Sequence, residues 1–128
     1  MSQFGNVPAE TLVDAVEKHV AKMDEGDLES ILHRGVRSMS RDARVALVGS
    51  IFDAFRDRGE SSEDAAEGAN ASLHALESGD EAAIEALLTY AKENTGLLKE
   101  SMTIFAEEHT AQVDGLPAEF VHAVAARL

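Results

Sequence analysis

Apolar residues in this chain recur at spacings of three and four, and Val, Ile, Phe and Tyr never stand two residues apart. That spacing fits a 3.6-residue helical repeat and does not fit a pleated strand, so the chain is restricted to helices. Glycines and capping residues interrupt the pattern often, and no heptad outlasts about three turns. The expected fold is therefore all-α: a compact irregular or orthogonal bundle of about six or seven short helices, in place of a long coiled coil.

The punctuation sets the expected boundaries. A first helix starts at Pro8 and runs to about Met23, with Leu12, Val16, Val20 and Met23 on one face. Gly26 stops it and Asp27 caps a second helix carrying Leu28, Ile31, Leu32, Val36 and Met39. Ser40 offers a cap for a third helix with Val45, Val48, Ile51, Phe52 and Phe55, closed by Gly59. Ser61 and Asp64 resemble a capping box opening a fourth helix through Ala66, Ala69, Leu73 and Leu76 to Gly79, whose small-residue face suits a close helix crossing. Asp80 caps a fifth with Ile84, Leu87, Leu88 and Ala91, and Gly96 precedes a sixth with Leu98, Met102, Phe105, His109 and Val113. After Gly115-Leu116-Pro117, a last helix holds Phe120, Val121, Val124 and Leu128.

Turns this short leave no room for a linker, and 128 residues form one domain, residues 1–128. A chain of that length buries about two-thirds of its unfolded surface, so it needs no disulfide or structural metal. It has no cysteine, which removes thiol nucleophiles, cysteine-ligated zinc and iron–sulfur clusters and fits a cytoplasmic setting. Gly26-Asp27, Ile31 and Ile51-Phe52 recur at one constant offset as Gly79-Asp80, Ile84 and Ile104-Phe105, which would make two related three-helix units plus a C-terminal helix. The third helix is expected to be the most buried. Phe52→Ala should cost about 3–5 kcal/mol.

Charge is segregated. With 24 acidic and 11 basic side chains the net charge is −13, yet six of the seven arginines fall between His33 and Arg58. From Glu60 to Glu85 there is no basic residue at all. Arg34, Arg37, Arg41 and Arg44 share one helical stripe if the helix persists through Ser40, and lose it if Ser40 breaks the helix. These arginines either pair with the acidic helices of the same molecule or present one pole of an interaction surface. Glu60, Glu63, Asp64 and Glu67 then present the other.

Motifs for chemistry are missing. No phosphate-binding glycine loop, EF-hand or serine-nucleophile elbow can be placed, and Gly49-Ser50 reads as a close-packing site within the third helix. Of the five histidines only Glu119-x-x-His122 has a di-iron spacing, and it lacks a second copy; His109 shares the apolar stripe with Met102 and Phe105 and is the histidine expected to be buried. The acidic balance opposes direct nucleic-acid binding, and no segment approaches the length of a membrane span.

The expectation is a small acidic non-enzymatic protein–protein interaction module: an adaptor, regulator or assembly subunit acting through charged helix faces, without a cofactor, partnered by another protein or by itself as a homodimer. A first alternative is an acidic inhibitor that imitates nucleic acid through Glu60 to Glu85. A second is a metal or small-ligand site lined by His109, Met102 and Glu119.

Overall fold

A computed structural model of the chain describes residues 4–128. Among them are eight α-helices and no strand: α1 (Ala9–Lys22), α2 (Glu25–Gly35), α3 (Arg41–Asp57), α4 (Ser62–Gly68), α5 (Leu73–Glu77), α6 (Glu81–Lys92), α7 (Leu97–Glu108) and α8 (Ala118–Ala125). Short 3-10 turns cover Val36–Ser38 and Thr110–Gly115. The all-helical fold required by the spacing of apolar residues is thus the observed one.

Side-chain caps fix most helix starts. Ser40, Ser61 and Asp80 accept the N–H groups of Ala43, Asp64 and Ala83, satisfying donors that the first helical turn leaves without a partner. Gly59, Gly79 and Gly96 stand at positive φ in the turns between helices, a backbone state that glycine enters without steric cost.

Four expectations need correction, and one open alternative is decided. Asp24, not Asp27, caps α2 by accepting the Gly26 N–H, so Gly26 and Asp27 lie in the first turn of α2 and do not separate two helices. Helix does not run through Ser40. The chain leaves α2 at Gly35, passes a 3-10 turn and restarts at Arg41 behind the expected Ser40 cap, so of the two alternatives it is the loss of the arginine stripe that holds. The fourth helix is two: Asn70 at φ 56 ends the path of α4, and Ser72 caps α5 by accepting the Ala75 N–H. The sixth ends at Glu108, so Val113 belongs to the following 3-10 turn. Finally, Gly49 is not a close-packing site, since a Cβ there would meet nothing within 4 Å.

The core centres on α3, the longest helix, and its most extensive pairing is with α7. Leu47, Ile51, Phe52 and Phe55 of α3 and Leu98, Met102 and Phe105 of α7 are buried; Val45, expected among them, is half-buried. Each helix also buries one serine, and each hydroxyl donates to the carbonyl four residues back: Ser50 to Ala46 and Ser101 to Leu97. That bond lets a small polar side chain stay in a dry contact without an unpaired hydroxyl. As α3 packs on α7, so α2 packs on α6. The buried faces correspond as Leu28, Ile31 and Leu32 with Ile84, Leu87 and Leu88, and as Leu47, Ser50 and Ile51 with Leu98, Ser101 and Met102. These two pairings have different offsets, and neither is the constant offset of the sequence repeat.

Two helix ends approach neighbours so closely that only glycine fits. A Cβ on Gly68, the last residue of α4, would lie 2.3 Å from the Tyr90 ring of α6, and one on Gly35 would lie 2.3 Å from the Pro117 ring. The alanine-rich α4 is indeed a close-crossing helix, with Ala65 and Ala66 buried. Tyr90 is held by stacking on Phe55 at 5.5 Å and by donating its hydroxyl to Glu60 at 2.7 Å.

Candidate functional site

Of the arginines between His33 and Arg58, three converge on the turn from α5 to α6. Arg41 Nε donates to the Ser78 carbonyl at 3.0 Å, and Arg44 Nε donates to the Gly79 carbonyl at 2.9 Å. Arg44 also donates to the Met39 carbonyl at 2.6 Å and lies 3.7 Å from Glu81. Arg37 reaches Glu81 at 3.3 Å and Glu85 at 2.8 Å from the other side. Arg41 and Arg44 thus close off the carbonyl end of α5, where a cation is favourable, and Arg44 and Arg37 hold the acidic start of α6.

Arg34 stands apart, paired with Glu119 of α8 at 3.0 Å where both side chains are exposed. The other three arginines are engaged as well: Arg56 with Asp53 and Ser62, Arg58 with the Thr95 carbonyl and Glu100, and Arg127 with the His19 ring. Every arginine of the chain therefore makes a hydrogen bond within its own molecule.

The carboxylates divide differently. Glu60 accepts from Tyr90, and this bond is the main cause that holds the phenol above its ordinary titration range. Glu63, Asp64 and Glu67 of α4 are exposed, and among the described residues none has a cationic partner within ion-pair distance. Glu63 and Asp64 favour the first turn of α4 through its dipole, a local reason for their position that leaves their outward charge uncancelled.

The histidines do not gather. His109 is only half-buried, as are His19 and His33, because α7 has already ended and its ring leans on Phe105 at 5.6 Å instead of entering the core. Met102 is fully buried, and Glu119 is already paired with Arg34, so His109, Met102 and Glu119 do not form one site. His122 is exposed. Among the described residues no three histidine, aspartate or glutamate side chains are placed to hold one metal ion.

His19 sits edge-on to Phe120 at 5.4 Å, and its pKa is lowered first by burial and then by the Arg127 charge. Glu100 is shifted upward, chiefly by burial and then by a hydrogen bond shared with Asp57, against the opposing influence of Arg58.

One charged residue escaped the sequence reading. Glu25 accepts the backbone N–H groups of Gly96 at 2.6 Å and Leu98 at 3.0 Å, capping α7 from α2. The only local signal was the bare start of α7 after Gly96, which carries no side chain to cap it.

No protein-family model matches this chain, and it has no match among the curated proteins or the solved structures. Among the described residues no helix is long and apolar enough to cross a membrane.

Proposed function

We propose that this protein is a small non-enzymatic interaction module of the cytoplasm, an adaptor, regulator or assembly subunit that captures a partner with a basic surface. Its contact surface is the acidic face of α4, carried by Glu63, Asp64 and Glu67. One contrast supports this reading. The arginines are all engaged inside the molecule, whereas these three carboxylates face water with no cation beside them among the described residues. Of the two poles expected from the charge pattern, only the anionic one is free for a partner. Long-range attraction then selects basic partners and speeds their encounter.

The exposed surface gives little alternative. Leu128 is the only large apolar side chain exposed among the described residues, which favours a polar contact surface over an apolar one. Self-association through arginine on one copy and carboxylate on the next would first have to break the internal arginine bonds.

The test is capture of binding proteins from the native host by the parent chain and by a Glu63→Gln, Asp64→Asn, Glu67→Gln variant, with identification of what is retained. A basic protein held by the parent, released by salt and lost by the variant supports the reading. Equal retention by both proteins overturns it. If double-stranded DNA competes for the same retained protein, the interaction is imitation of nucleic acid, the alternative use of the same carboxylates.

A further inference from the structure

A groove runs along the amino-terminal half of α3, and it shares no residue with the acidic face of α4. Its main hollow, about 480 Å³, lies between α3, the end of α5 and the 3-10 turn after α7. A second hollow of about 280 Å³ adjoins it along Ser40, Ala43 and Gly115. Asp42 and Gln112 line both, so the two are neighbours along α3.

Three observations show what the groove would accept. Its apolar floor is formed by Val45 and Ala46 and opens at Gly49, where the missing side chain leaves space that no neighbour fills. Gln112 Oε1 is buried and among the described residues has no hydrogen-bond partner. An orphaned acceptor costs about 1–3 kcal/mol, so turning the terminal amide toward a donor in the hollow that it already lines is favourable. Asp42, Glu77 and Asp114 bring three carboxylates to the rim against the single guanidinium of Arg41, which is itself bonded to Ser78. Glu77 closes α5, at the helix end where a negative charge is least favoured, and among the described residues it has no ion pair.

We propose that this groove seats an arginine side chain of a partner polypeptide. The acceptors diverge, with Asp42 on α3, Glu77 on α5 and Gln112 on the 3-10 turn. A planar guanidinium with five N–H donors can serve several such acceptors together, whereas an ammonium concentrates its donors at one point. The alkyl stem lies over Val45, Ala46 and the open Gly49 position, and the second hollow gives the adjoining backbone a path. The seat is independent of the α4 carboxylates, so either can fail without the other.

Titration of the ¹⁵N-labelled full chain with Nα-acetyl-arginine-N-methylamide, followed by amide chemical shifts, tests the assignment. The expected result is saturable shifts centred on Asp42, Gly49, Glu77 and Gln112, with the matching lysine derivative binding several-fold more weakly. Gly49→Leu should fold as the parent does, because its Cβ enters open space in a helix, and it should weaken binding at least about tenfold by filling the floor. Glu77→Gln should weaken binding without disturbing the fold. Shifts that do not saturate, that persist undiminished in Gly49→Leu, that centre on α4, or that are as strong for the lysine derivative would each overturn the proposal.

Discussion

The Glu25 carboxylate accepts the Leu98 N–H at 3.0 Å and so joins the start of α2 to the start of α7 across 73 positions of sequence. Its other oxygen takes the Gly96 N–H. The first turn of α7, which has no cap of its own, is thereby satisfied by a charged group that also suits the positive end of the helix.

Glu25→Ala removes both bonds and leaves two half-buried donors unpaired. It should cost about 2–3 kcal/mol, and Glu25→Gln roughly half as much. Urea unfolding checks this, with a lowered midpoint at unchanged slope as the expected result. A midpoint equal to the parent's would show that water replaces the carboxylate without loss.

Three glycines within helices should respond to alanine with opposite signs. Gly49→Ala enters open space and should stabilise by about 0.5–1 kcal/mol through helix propensity alone. Gly68→Ala drives a methyl into the Tyr90 ring, which cannot retreat easily because Phe55 and Glu60 hold it, and should destabilise by about 1–3 kcal/mol. Gly35→Ala meets the stiff Pro117 ring and should behave in the same way. Thermal melts of the three variants decide it, and a uniform response would show that the close contacts relax freely.

Among the arginines the exposed pairs should matter least. Arg34→Met removes a pair in which both partners are about three-fifths exposed and should change stability by less than about 1 kcal/mol. Arg44 is only 15% exposed and bonds two backbone carbonyls, so Arg44→Met should cost about 2 kcal/mol. If both variants melt alike, Arg44 does not anchor the α5–α6 turn.

Two groups give opposite pH dependences. His19 has its folded pKa depressed below 6.5, so its contribution is complete above pH 6.5 and is lost as pH falls through 6.5 toward the folded value. Arg127→Gln should raise that folded value, as an NMR titration of the imidazole would read. Glu100 is shifted above 4.5, so its contribution is complete below pH 4.5 and is lost as pH rises from there through the folded value. Glu100→Gln should flatten stability across that second window, and an unchanged curve would mean that Glu100 does not carry this pH dependence.

What the sequence made legible was local. Ser40, Ser61 and Asp80 act as caps because the groups they bond are three residues away, and Gly59, Gly79 and Gly96 mark turns because their backbone state is intrinsic to the residue. Phe52 and Phe55 were legible as core from helical spacing alone. The break at Asn70 was not, since one left-handed residue in an alanine-rich run leaves the apolar period nearly intact. The destinations of the arginines were legible only as two alternatives. The backbone carbonyls of Ser78 and Gly79 become acceptors only after α3 has been packed beside the α5–α6 turn. Gly68 looked like one small residue among many, and its role depends on a tyrosine brought in from α6.

The crossing of α3 with α7 has a consequence during synthesis. When a ribosome has released α3, the surface that will cover it is still untranslated, and Ile51 and Phe55 have no complete neighbourhood to enter. The emerging polypeptide must therefore keep these side chains shielded until α7 arrives, so maturation of this core is gated by the emergence of α7.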